Sequence, residues 1–154
     1  MESIIQDVKK MNKIYKAILI IIMLTFPKLL LSADMVGYLM NQAEQEYNDK
    51  NYQKAYTSLQ NIAPTGNPKA IYLLGTMYLE GLGIDKNYEV AHEMILFASQ
   101  NLYKNDKIMA SEAQNKLSEM YKKGIGTIKN NIEAYKWLYI ANITSNTNSL
   151  NSLS

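Results

Sequence analysis

Residues 70–98 read AIYLLGTMYLEGLGIDKNYEVAHEMILFA, and residues 113–141 read AQNKLSEMYKKGIGTIKNNIEAYKWLYIA. Set 43 positions apart, the stretches share Ala70 with Ala113, Leu74 with Leu117, Met77 with Met120 and Tyr78 with Tyr121. Gly81 and Gly83 fall on Gly124 and Gly126, Lys86 and Asn87 on Lys129 and Asn130, and Ala91 and Ala98 on Ala134 and Ala141. Ten identities in 29 positions stand against about two by chance, so the chain is an internal repeat. A further echo lies upstream, where Asp49-Lys50-Asn51-Tyr52 and Ala55 reappear as Asp85-Lys86-Asn87-Tyr88 and Ala91. Three units share one plan, at residues 35–66, 67–106 and 107–142.

Within a unit the spacing is helical. Ala70, Leu74, Met77 and Tyr78 recur three and four apart and so share one helix face. Gly81 and Gly83 stop that helix, because glycine accepts the left-handed conformation found at helix C-termini. Asn87 is placed to cap the next helix by accepting from its free N–H groups, and Pro68 suits the first turn of the helix before. Tyr88, Ala91, Ile95 and Ala98 form the apolar stripe of the second helix. The predicted fold is all-α, a short solenoid of antiparallel helix pairs with a continuous concave face. The segment from Met35 to Met40 and the last helix up to Ala141 are expected to cap its ends.

The pattern from Ala70 to Ala91, A-x-x-x-L-G-x-x-Y-x-x-G-x-G-I-x-x-x-x-x-x-A, resembles the Sel-one-like repeat, a relative of the tetratricopeptide repeats. Its signature positions here are Ala70, Leu74, Gly75, Tyr78, Gly81, Gly83, Ala91 and Ala98, then Ala113, Leu117, Tyr121, Gly124, Gly126, Ala134, Trp137 and Ala141. The second copy departs at Ser118, where its neighbour has Gly75, and at Thr127, where the family has an aliphatic residue. The first unit, Ala43 to Ala63, lacks the G-x-G and looks more like a plain tetratricopeptide unit. The resemblance covers residues 35–142 and implies a scaffold or adaptor that binds proteins, with many bacterial members exported or periplasmic.

Outward from the repeats, Lys13 and Lys16 precede the apolar run AILIIIMLTF from Ala17 to Phe26, and LLLSA ends at Ala33. That order is the order of a secretory signal peptide, over residues 1–33 with Met11 as an alternative start. The run is half the roughly 20 residues needed to span a bilayer. Cleavage is expected after Ala33, with an uncut membrane anchor as the alternative because Leu31 is large for its position. The expected destination is the bacterial periplasm or the exterior. Beyond Ala141 the sequence turns polar, NITSNTNSLNSLS, and residues 143–154 are expected to be a disordered tail.

Composition narrows the function. The chain has 154 residues, no cysteine and no arginine, and a formal charge of +2. Five lysines against two acids lie in residues 1–33, which leaves 11 lysines facing 12 acids in the rest. A near-neutral body without arginine has no electrostatic footprint for nucleic acid. Without cysteine there is no thiolate metal site, and His92, the one histidine, cannot build a multi-histidine zinc site. The G-x-G turns lie between helices, not after a strand as a phosphate loop would. No G-x-S-x-G elbow occurs. No catalysis, cofactor or metal is expected; an envelope hydrolase or a membrane-tethered assembly factor are the competing readings.

The expected partner is a protein or peptide, with the membrane touched only through an uncleaved N-terminal segment. Aligning the first helices places Tyr72, Thr76, Glu80, Asn115, Glu119 and Lys123 beside the core stripe, as candidate protein-binding residues. Tyr72, Tyr88, Tyr103, Tyr135 and Tyr139 are read as repeat-core or groove residues in preference to ligand-stacking platforms. His92 is read as a packing or surface residue. The acidic pairs Glu44 with Glu46 and Glu89 with Glu93 are read as solvated helix faces.

Overall fold

A computed structural model describes residues 33–102 and 106–151. The chain divides into two compact units between Gly37 and Tyr38; of the first, only the start of a helix at residues 33–37 is described. The export-signal reading of the N-terminus and Tyr103 therefore lie outside the described residues.

Among the described residues the structure is helical, without a strand. The helices are α1 (Ala33–Asn48), α2 (Tyr52–Ile62), α3 (Pro68–Glu80), α4 (Tyr88–Asn101), α5 (Lys107–Lys123) and α6 (Asn131–Asn151), with a 3-10 turn at Ala63–Thr65. Neighbours in sequence pack as neighbours in space from α2 onward, as short helix connections require. No helix among the described residues is long and apolar enough to cross a membrane.

The caps follow from local chemistry. Asn67 accepts from the backbone N–H groups of Lys69 and Ala70, with Pro68 at the first helical position. Asn87 caps α4 through Val90, Asp106 caps α5 through Met109, and Asn130 caps α6 through Ile132 and Glu133. Both G-x-G turns are built alike. Gly81 and Gly124 end their helices at φ +73° and +70°. The chain then folds back so that the Asn87 and Asn130 amides donate to the carbonyls of Tyr78 and Tyr121, at 3.0 and 2.9 Å.

The second glycine of each turn holds the repeats together. At Gly83 a Cβ would lie 2.8 Å from the Tyr52 backbone, and at Gly126 it would overlap the backbone carbonyl of Tyr88. Each turn thus rests on the first residue of the preceding unit's second helix, at a distance only a glycine permits. The first unit has no such glycine, and Lys50 takes up the positive φ there, at 61°.

The core is the predicted stripe. Ala70, Leu74, Met77, Ala91, Ile95, Ala98, Ala113, Leu117 and Met120 are buried, and Ala134, Trp137 and Ala141 continue it in α6. Gly75 brings α3 onto α4, where a Cβ would meet Ile95 Cγ1 and Met94 Cβ at 3.0 Å and the Ala91 carbonyl at 3.4 Å.

Three expectations are corrected here. The polar tail does not begin at residue 143, because α6 runs on to Asn151. Thr144 is buried in line with Trp137 and Ala141. Asn142 and Ser145 meet their hydrogen-bonding needs inside the helix, donating to the carbonyls of Leu138 and Asn142. Nor are Glu44 and Glu46 a solvated face. Glu44 pairs with Lys69 of α3, and Glu46 accepts the Ser58 hydroxyl at 2.7 Å. Tyr88, Tyr135 and Tyr139 are exposed and not core residues, although Tyr135 lines a small recess with Ser118, Lys122 and Leu138. In α6 it is Trp137 that takes the inward position.

Candidate binding groove

The first helices of the second and third units lie side by side and form a groove of about 790 Å³. Tyr72, Leu79 and Glu80 of α3 form one wall. Glu112, Asn115, Lys116, Ser118, Glu119, Lys122 and Lys123 of α5 form the other, closed by Leu138 of α6. Helical spacing puts 112, 115, 116, 119, 122 and 123 on one face of α5. Five of the six residues picked from the sequence alignment, namely Tyr72, Glu80, Asn115, Glu119 and Lys123, line this groove together.

Thr76 does not. It is 6% exposed and belongs to the core. The aligned position in α5 is Glu119, which is exposed. Helix α3 buries Tyr72 to Met77 without a break. Helix α5, which also packs between two helices, buries Leu117, Ser118 and Met120 but leaves Glu119 at the surface.

Charge in the groove is arranged in pairs. Lys116 reaches across the units to Glu80 at 2.8 Å, and Lys123 pairs with Glu119 one turn away at 3.3 Å. Exposed pairs of this kind stabilise by about 0–1 kcal/mol, so a partner's charges could displace them at small cost. Glu112 and Lys122 form no ion pair among the described residues and face solvent. Tyr72, 6% exposed, forms the floor. Burial pushes its phenol up to about 12, with the carboxylates of Glu112 and Glu80 adding to the effect and Thr76 opposing it. Burial likewise pushes Tyr47 up to about 12, helped by Glu80 and Tyr52. Both phenols are therefore neutral donors at physiological pH, beside carboxylates.

A smaller recess of about 430 Å³ lies between Gln60, Asn61, Pro64, Leu74, Tyr78 and Met94. The hydroxyls of Tyr56 and Tyr78, 2.9 Å apart, tie α2 to α3.

His92 sits in the core of the α4–α5 junction, edge-on to the Tyr121 ring at 5.0 Å between centroids. Burial pulls its pKa below the ordinary value, with Glu93 opposing. Its Nε2 has no hydrogen-bond partner among the described residues. Among those residues no group of three or more His, Asp or Glu side chains could hold a metal. Sequence reasoning missed Glu112, Lys116 and Lys122. The signal was present, since each stands three residues from Asn115 or Glu119.

Comparison with known proteins accords with this architecture. A family model described as Sel1 repeat matches residues 68–101 and 111–142. The solved structure of a Sel1 repeat protein from Oxalobacter formigenes is similar, with 35% identity and a TM-score of 0.56. The similarity covers 65% of this chain and 38% of that one, so the present chain spans well under half of that protein's length. No curated protein matches the sequence.

Proposed function

We propose, from the premise that this is a chain of Sel1 repeats, that it is an exported adaptor holding a protein or peptide partner in the groove between α3 and α5. Sel1 repeats are in general protein–protein interaction modules, and repeat arrays use such concave surfaces for binding. The observation that carries the reading is that five of the six candidates converge on one groove about 790 Å³ in volume. Its walls combine an aromatic floor, exchangeable ion pairs and apolar ends at Leu79 and Leu138, the mixture that suits a polypeptide. The adaptor acts by binding and does not turn over a substrate.

Export rests on the basic, apolar and small-residue order that ends at Ala33. The test is crosslinking capture in cells with a C-terminally tagged full-length chain, followed by fractionation and N-terminal sequencing. An exported chain beginning at Asp34, attached to one defined partner, supports the proposal. An intact N-terminus in the membrane fraction replaces the exported adaptor with a tethered one. A cytoplasmic chain without a partner contradicts both.

A further inference from the structure

Helix α6 is apolar on two opposite sides. Its inward side carries Ala134, Trp137, Ala141 and Thr144, all buried against the array. Its outward side carries Ile132 at 81% exposure, Tyr135 at 72%, Tyr139 at 60% and Ile143 at 46%. At about 100° per residue these four fall within an arc of about 80°, directly away from the buried side. A helix apolar on both sides is normally covered on both.

The repeat identifies this surface. Set 43 positions back, Tyr135 corresponds to His92 and Tyr139 to Leu96. In α4 that side faces the next unit, where His92 packs on Tyr121. The middle of the outward stripe thus matches a stacking face, whereas Ile132 and Ile143 replace Glu89 and Gln100, which are exposed in α4; no further unit covers the stripe among the described residues. Its exposed surface comes to about 600 Å², at the top of the range of about 300–600 Å² for the largest apolar patch on a monomer, a patch that is often functional.

The order of residues selects the occupant. Read from either end, the stripe runs isoleucine, tyrosine, tyrosine, isoleucine. A two-fold axis near residue 137 would set Ile132 against the second copy's Ile143, and Tyr135 against the second copy's Tyr139, both in antiparallel sense. Such a patch is complementary to itself, which is what a two-fold interface requires. The charges alongside do not oppose it, because Glu133 and Lys136 neutralise each other at 3.0 Å. Two copies would cover about 1,200 Å² in all, the lower end for a specific interface. We infer that the chain forms an antiparallel homodimer through the outward faces of α6, leaving the α3–α5 groove of each copy open.

The test uses the full-length chain and measures its mass by light scattering across concentration. The wild type is expected to be a dimer at micromolar concentration. Tyr135→Glu and Tyr139→Lys should each weaken dimerisation at least about tenfold, with helicity unchanged. Mixed together, the two variants should pair, because the geometry sets the carboxylate introduced in one copy against the ammonium introduced in the other. A monomeric wild type would overturn the inference. So would a dimer that survives both single substitutions, and so would variants that fail to pair on mixing.

Discussion

Gly126 and Tyr88 touch backbone to backbone, so closely that a Cβ on Gly126 would overlap the Tyr88 carbonyl. Gly83 stands in the same relation to Tyr52 one unit earlier. The first glycine of each turn lacks this contact, since a Cβ on Gly124 would come no nearer than 3.3 Å to the backbone of Lys129. The two glycines of one G-x-G therefore carry different loads. Gly124→Ala should cost about 1 kcal/mol for the positive φ alone. Gly126→Ala should cost more than about 3 kcal/mol, because it also pushes two units apart. Urea unfolding of both variants checks this; equal losses would refute the contact.

Ser118 stands where the neighbouring repeat has Gly75, and its hydroxyl donates to the Ala134 carbonyl at 2.6 Å. That carbonyl is the repeat equivalent of the Ala91 carbonyl beside Gly75. One helix crossing is thus made by close approach and the other by a hydrogen bond. Ser118→Ala should lose about 1 kcal/mol. Gly75→Ser should lose about 1–3 kcal/mol by crowding Ile95 and Met94. Unfolding midpoints of the two variants decide; a neutral Gly75→Ser would mean that α3 and α4 have room to part.

Lys50 holds a left-handed conformation at φ 61° without being glycine. Lys50→Gly should therefore stabilise the chain by about 1 kcal/mol. A lower melting temperature in this variant would show that the Lys50 side chain contributes more than its backbone costs.

Two pH windows follow from burial. An unfolded tyrosine titrates near 10, whereas Tyr47 and Tyr72 titrate near 12 in the fold. Between these values the folded chain binds more protons than the unfolded one. Stability is therefore complete below pH 10 and falls as pH rises toward 12. Tyr72→Phe should flatten that fall. His92 has the opposite sign, because its pKa is lowered in the fold. Its contribution is complete above about 6.5 and is lost on acidification, and His92→Phe should remove that slope. Melting temperature against pH reads both windows.

Much of this was legible in the sequence because the repeat states its own packing. The 43-residue offset located both turns, the alanine stripe and the asparagine caps, each a local preference that the fold keeps. What stayed hidden depended on neighbours that periodicity does not name. Thr76 and Glu119 share a register, yet one is buried and the other reaches the groove. The polar composition after Ala141 suggested disorder, but Thr144 packs inward and Asn142 and Ser145 bond back to their own helix. Tyr135 carries an aromatic ring on the outer side of α6, a distinction that spacing alone does not make.

The central claim is that the groove between α3 and α5 holds the partner, and site-specific photo-crosslinking in cells tests it most directly. A crosslinking side chain would be placed at Asn115, at Lys122 and, as a control, at Lys54, which is exposed on α2 outside the groove. The account predicts one partner band from Asn115 and Lys122 and none from Lys54. No band from the groove positions, or an equal band from Lys54, would contradict it.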